Sequence, residues 1–306
     1  MKKKWLMLGS AVGISSIVMV TTGFSALAST SGYDAYKSAL KNTKTVQNVA
    51  VQAAASLQDN GNVLANATGN FKVSVAAKTA SGSADITANG TKQSLSFFKQ
   101  NNQTILKSSA SDTYYVKQEG QEKHKKATES TDGQIPQQVE TVIDALVGNL
   151  KDYVNVNTQT DGSKEISVQL DNAQLPAVVN AIAPIAIKEA TKQENDGEKQ
   201  DGNKPNEIPF QKDVLKEAAP QLTQDIKIEK VAIKATVNAA NYLEHQEADL
   251  TVSGKDDNGT AHQVTIHVQA DLSGFNSTTP DTIDLTGKTV QQLKHGHEGK
   301  KNGQNE

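Results

Sequence analysis

The sequence predicts an α+β protein: a long antiparallel meander of about 11–12 strands, curled as a half-barrel around two to three inserted helices. Three observations carry this expectation. Much of the chain alternates apolar and polar residues with a period of two, as strands do when one face is dry and the other wet. The alternating runs are separated by Asn-Gly and Asp-Gly pairs, which accept the positive φ of a tight hairpin. Segments of helical periodicity interrupt the strand order, and a one-sided sheet of this length must cover its apolar face.

The chain opens on Met1-Lys2-Lys3-Lys4, continues through the largely apolar run Trp5 to Val20, and reaches small residues at Ala26 and Ala28. That order is the layout of a secretory signal peptide, so residues 1–28 are read as a leader cleaved near Ala28, with Ser29 as the new N-terminus. The alternative is an uncleaved anchor. Trp5 to Val20 would span only about 24 Å as a helix, against a hydrocarbon core of about 30 Å, although Leu6 to Phe24 would just cross. With no cysteine there is no acylated thiol, no disulfide and no thiolate metal site. The expectation is an extracytoplasmic protein, secreted or cell-wall-associated, that touches membrane only through its leader or transiently.

Past the leader, Ser31-Gly32-Tyr33-Asp34 reads as a capping box, and Tyr33, Tyr36 and Leu40 share one face of a helix over 32–43. Strands follow. Val49, Val51, Ala53, Ala55 and Leu57 share a face opposite Gln52, Ser56 and Gln58. After the Asn60-Gly61 turn, Val63, Ala65, Ala67, Phe71, Val73 and Val75 point inward, against Asn66, Thr68, Asn70, Lys72 and Ser74. Ser81-Gly82 and Asn89-Gly90 punctuate the next strands, which carry Ile86, Leu95 and Phe97, and shorter strands are expected at 103–108 and 112–117.

Glu119 to Gly133 reads as a polar loop, and Pro136 opens a helix with Val139, Val142, Ile143, Leu146 and Leu150 on one face. Strands resume at 153–159 and 163–170, and a helix near 174–192 contains Pro184, which should kink it. The polar insertion 193–208 has almost nothing to bury and is expected to be disordered. A short helix near 210–219 precedes strands at 225–237, 241–253 and 260–272 and a piece near 283–286. Within 225–237 the apolar phase slips from Ile226/Ile228 to Val231/Ile233/Ala235, which predicts a bulge. Residues 29–290 are therefore expected to form one half-barrel domain, and 291–306 a disordered tail.

Composition narrows the function. Every basic residue is lysine, and the chain is mildly acidic, with a net charge of −3. Without arginine's bidentate fork, and with no basic excess, nucleic-acid recognition is set aside. Aromatics are only 4%, so the core must be built largely from Val, Ala, Leu and Ile.

The N-terminal helix leading into a long meander, with helices inserted near 136–150 and 174–192, resembles the lipoprotein-carrier superfamily of periplasmic lipoprotein chaperones and mycobacterial glycolipid carriers. The segments SGYDAYKSALKNTKT and TPDTIDLTGK also resemble a group of uncharacterised bacterial secreted proteins. The superfamily resemblance implies an open half-barrel whose concave apolar face holds acyl chains beneath helical lids. The chain departs from it in having no lid-holding arginine and no anchoring cysteine.

Catalytic signals are sparse. There is no Gly-x-Ser-x-Gly elbow and no cysteine nucleophile, and the carboxylate pairs lack the aromatic platforms of a glycosidase. Asp256-Asp257-Asn258-Gly259 reads as a hairpin turn that fails calcium-loop spacing. His295 and His297 sit in the polar tail; His124 and His245 read as surface residues; His262 lies on the apolar phase of its strand and His267 on the other. No enzyme, cofactor or metal is expected. The expected function is non-enzymatic binding of an apolar or amphiphilic ligand, a lipid or lipidated molecule, on a face made of Val51, Phe71, Val73, Val75, Ile86, Leu95 and Phe97 under a lid carrying Val142, Ile143 and Leu146. The alternative is an envelope interaction or sensor module with a filled core, working through its polar face. Ligand identity and oligomeric state are left open.

Overall fold

The computed structural model describes residues 32–118, 153–191 and 218–293. Helix α1 (Gly32–Thr43) leads into six strands: β1 (Asn48–Asp59), β2 (Asn62–Ser74), β3 (Thr79–Ala88), β4 (Thr91–Gln100), β5 (Gln103–Ser108) and β6 (Tyr114–Gln118). A second run holds β7 (Val154–Thr158), β8 (Lys164–Asp171), α2 (Ala177–Thr191), β9 (Gln224–Val237), β10 (Leu243–Lys255) and β11 (Ala261–Ser273). The last strand, β12, is Val290–Gln292.

All twelve strands lie in one sheet, in the order β12-β6-β5-β4-β3-β2-β1-β11-β10-β9-β8-β7. It is an open, antiparallel-rich sheet with two helices among the described residues, a sheet-dominated α+β fold. The topology is finer than one meander. Two meanders, β1–β6 and β7–β11, join along β1 and β11, with Ala50 opposite Ser273 and Asp59 opposite Val264. Both seam strands carry the same two-residue alternation, so Val51 meets Leu272 and Ala53 meets Ala270 on one face. The exception to antiparallel pairing is β12, which runs parallel to β6.

Turn chemistry explains the register. Asn60 and Gly61 take φ 49° and 81°, and Asn89 and Gly90 repeat the pattern at 49° and 74°. Such turns match the right-handed twist of the flanking strands. The bulge expected in β9 falls at Glu229: Thr251 faces Lys230 while the next residue, Val252, faces Ile228. That extra residue keeps Ile228 and Val231 on one face despite their odd spacing.

Four sequence expectations are corrected. Ser81-Gly82 is no turn but lies inside β3; the turn is at 75–78. Val75 therefore falls outside the strand and is 63% exposed. Val63 does not point inward, because the register shifts between Leu57 and Gln58, pairing Val63 with Gln58 and leaving it exposed. The piece near 283–286 is irregular, and the short strand comes later, at β12.

Both helices pack on the apolar face of the second meander, α1 at the Val237 end of β9 and α2 toward its Ile228 end. Ala39 and Leu40 of α1 are buried against Ile166, Ala235, Val237 and Leu243. Burying a leucine of that kind contributes about 1.5–3 kcal/mol. The Tyr36 hydroxyl donates to Gln246 Oε1 at 2.7 Å, and burial pushes its phenol up to about 12. Ile187 of α2 packs on two neighbouring clusters of the same sheet face, one around Leu170 and Ile228, the other around Leu222, Val252 and Val264. Helix α2 runs through Pro184. The loop at 119–133, the helix with Val142, Ile143 and Leu146, the 193–208 insertion, most of the 210–219 helix, Ser31, the leader and the tail lie outside the described residues.

Candidate functional site

The sheet presents two faces, and each holds a candidate. On the apolar face, Val51 pairs with Phe71, Phe71 with Gly82, and Gly82 with Phe97, a single row across β1 to β4. Val51 and Phe71 are buried, in a cluster with Ala270 and Leu272 against which Phe97 and Phe275 pack. The Phe71 and Phe97 rings stand 6.0 Å apart at a 34° tilt.

The Phe71 ring has room only because two neighbours lack side chains. A Cβ on Gly69 would stand 2.5 Å from Phe71 Cε2 and Cζ; on Gly82 it would stand 2.5 Å from Phe71 Cδ1 and 2.8 Å from Phe97 Cε1. A glycine inside a strand marks close approach of this kind. Val73, Ile86, Leu95 and Phe97 are half-buried, and Ile266 on the same face is 40% exposed. The structure thus brings Val51, Phe71 and Phe97 together, leaves Val75 out, and does not describe Val142, Ile143 or Leu146.

The opposite face is crossed by a strap. After β11, residues 276–289 run over β1 to β4 to reach β6. Gln47 N–H donates to Asn276 Oδ1 and Thr278 N–H to Asn48 Oδ1. Asp281 N–H donates to the Ser81 hydroxyl at 2.8 Å, and Lys72 Nζ donates to Asp281 Oδ1 at 2.9 Å. The Lys72 ammonium, with a smaller contribution from the Ser81 hydroxyl, holds the Asp281 carboxyl below the ordinary aspartate range. Further along, Gln100 exchanges two hydrogen bonds with the Ile283 backbone, and Tyr114 N–H donates to Thr289 O.

Beside this strap the polar face has a recess of about 320 Å³. Its walls include Gln52, Asn70, Lys72, Ser83, Ser96, Phe98 and Asp281. Gln52 lies opposite Asn70, Asn70 opposite Ser83, and Ser83 opposite Ser96, a polar row across four strands. Sequence alternation places Gln52 and Asn70 outward but gives no sign of a recess. The available signal is the Phe97-Phe98 doublet, which must put one ring on each face.

Histidine–carboxylate pairs line the β10–β11 part of the sheet. His245 Nδ1 lies 2.7 Å from Asp271, and His267 Nδ1 lies 2.8 Å from Asp249. The bond from His245, reinforced by Gln269, holds Asp271 below its ordinary range. Glu247 is also held low, first by Lys234 at 2.6 Å and then by the nearby His245 and His267. His245 is thus no bare surface residue. On the apolar face, His262 Nδ1 lies 2.8 Å from Asp59, and both side chains are largely enclosed. Its Nε2 has no hydrogen-bond partner among the described residues, with Asp256 at 3.8 Å. Among the described residues no three His, Asp or Glu side chains converge on a point that would hold a metal ion.

No family model matches this chain. No curated protein matches it either. Among solved structures, a protein from Thermobifida fusca YX assigned as a thioesterase II aligns over 83% of this chain and 90% of its own, at 10% identity and a TM-score of 0.12. No helix among the described residues is long and apolar enough to cross a membrane.

Proposed function

We propose that this chain is an extracytoplasmic, non-enzymatic binding protein whose sheet curls as a half-barrel and receives an apolar or amphiphilic ligand, such as a lipid, on its apolar face. The observation that carries this reading is the incomplete cover of that face: Val73, Ile86, Leu95 and Phe97 are half-buried on β2 to β4, and Ile266 on β11 is 40% exposed. Apolar side chains left partly open along one sheet face give an apolar ligand something to cover. The helix–meander resemblance to lipoprotein carriers and the leader at 1–28 support the same reading.

An environment-sensitive fluorescent fatty acid tests it. The native protein should bind the probe saturably, with a micromolar Kd, about −8 kcal/mol. Phe97→Asp should weaken binding while circular dichroism shows the fold retained, because a charge would then face the acyl chain. Absence of saturable binding across several lipid classes would sink the reading. Sequencing of exported protein should begin at Ser29; a start at Met1 would restore the anchored alternative.

The polar-face recess favours a second reading, an envelope interaction module with a filled core. Native mass spectrometry separates the two, since only the first retains lipid through purification.

A further inference from the structure

We infer that the recess beside the strap is a second binding site, for a neutral saccharide chain, independent of any ligand on the apolar face. A solvated sheet face needs only polarity; this one has a walled depression with an aromatic in it. Its volume of about 320 Å³ is that of a small-molecule site.

The lining selects the ligand class. Gln52 and Asn70 offer carboxamides and Ser83 and Ser96 offer hydroxyls, so the row presents donors and acceptors alternately. Their side chains make no hydrogen bond within the described residues, and Gln52, Asn70 and Ser83 are exposed. Phe98 adds a half-buried ring, an apolar platform for the C–H face of a sugar. The charges cancel, because Lys72 and Asp281 are paired at 2.9 Å.

Other classes fit less well. A phosphate or sulfate would need an unpaired cation, and the Lys72 ammonium already answers Asp281. An acyl chain would meet hydroxyls and amides it cannot bond. A polyhydroxyl ligand uses every group present. The row crosses four strands, about 14 Å at the usual strand spacing, which suits an oligosaccharide rather than a single sugar.

The test uses β-1,4-linked tetrasaccharides of glucose and of N-acetylglucosamine as probes, titrated into the native protein. Side-chain amide resonances of Gln52 and Asn70 should shift saturably with at least one of them. Calorimetry on the Gln52→Ala/Asn70→Ala variant should show affinity reduced by about tenfold or more, with fatty-acid binding unchanged. Both residues are exposed, so the variant should keep its circular dichroism spectrum; if it does not, the amide shifts of the native protein decide alone. No saturable shift with either probe up to about 10 mM, or equal affinity in native protein and folded variant, would overturn the inference. Loss of fatty-acid binding elsewhere would leave it standing.

Discussion

The Phe71 ring lies over Gly82, so close that a Cβ at position 82 would stand 2.5 Å from Phe71 Cδ1 and 2.7 Å from Asn70 O. The glycine is what lets an aromatic ring sit at the centre of a sheet built mostly from small side chains. Gly82→Ala should therefore destabilise the protein by about 1–3 kcal/mol, the usual range for overpacking. Phe71→Ala alone should cost about 3–5 kcal/mol. In the Phe71→Ala background the Gly82→Ala penalty should shrink without vanishing, because the ring is gone but the Asn70 carbonyl and Phe97 still stand within 3 Å of the added Cβ. Urea unfolding of the four proteins measures this; additive penalties would show that the two residues do not share the space.

Ser81 is 1% exposed, and its hydroxyl accepts from Asp281 N–H and donates to Asp281 Oδ2. Ser81→Ala should cost about 1–3 kcal/mol by leaving a strap amide unpaired, and hydrogen exchange at Asp281 should accelerate. Lys72→Ala should cost under about 1 kcal/mol, because its ion pair with Asp281 is exposed at both ends. A larger effect from Lys72→Ala would mean that the ion pair, not the serine, holds the strap.

Acid should loosen the β9–β11 region. The carboxyls of Asp271 and Glu247 titrate below their ordinary values in the folded state, held there chiefly by His245 and Lys234 respectively. A depressed carboxylate contributes stability that is fully present above its unfolded value and is lost as pH falls through the folded one. Stability should thus decline as pH drops below about 4.5, the ordinary glutamate value. Lys234→Met should flatten that decline, because Glu247 then titrates nearer its ordinary value. An unchanged acid slope in this variant would count against the assignment.

The bulge at Glu229 makes a deletion test. Removing Glu229 leaves Ile228 opposite Val252 and Lys230 opposite Thr251, the same partners as now. The cost should be limited to about 1–2 kcal/mol, mainly the bond from Ser253 to its carboxylate. Deleting Ala232 instead would turn part of β9 over, exposing Val231 or Ile233, and should abolish cooperative unfolding. Thermal melts of both variants read the difference.

Strands were largely legible in the sequence because a period of two sets boundary and face together. That is why β5 at Gln103–Ser108 and the Glu229 bulge could be anticipated from Ile105 and from the Ile228/Val231 slip. The glycine in β3 misled, since a sequence shows the missing Cβ but not the Phe71 ring that fills its place. The strap was invisible for another reason. Its bonds run from irregular backbone to side chains such as Asn48, Ser81 and Gln100, with no periodicity to betray them. The recess follows the strap, so it was hidden with it. The apolar half of the candidate site was readable at Val51, Phe71 and Phe97; Val75 failed because alternation alone does not say where a strand stops.

The seam between β1 and β11 has a consequence for how the molecule is made. Its two strands are separated by about two hundred residues; the Asp59–His262 contact spans 203. Each meander can zip up locally, hairpin by hairpin, but β1, paired with β2 on one side, has no partner on the other until β11 is in place. Pairings this distant in sequence close slowly, and a central strand paired on one side alone meanwhile offers a bare edge. Until the seam closes, Val49 to Leu57 lie along an open edge, and that edge is where a folding chain of this topology is exposed to pairing with another copy.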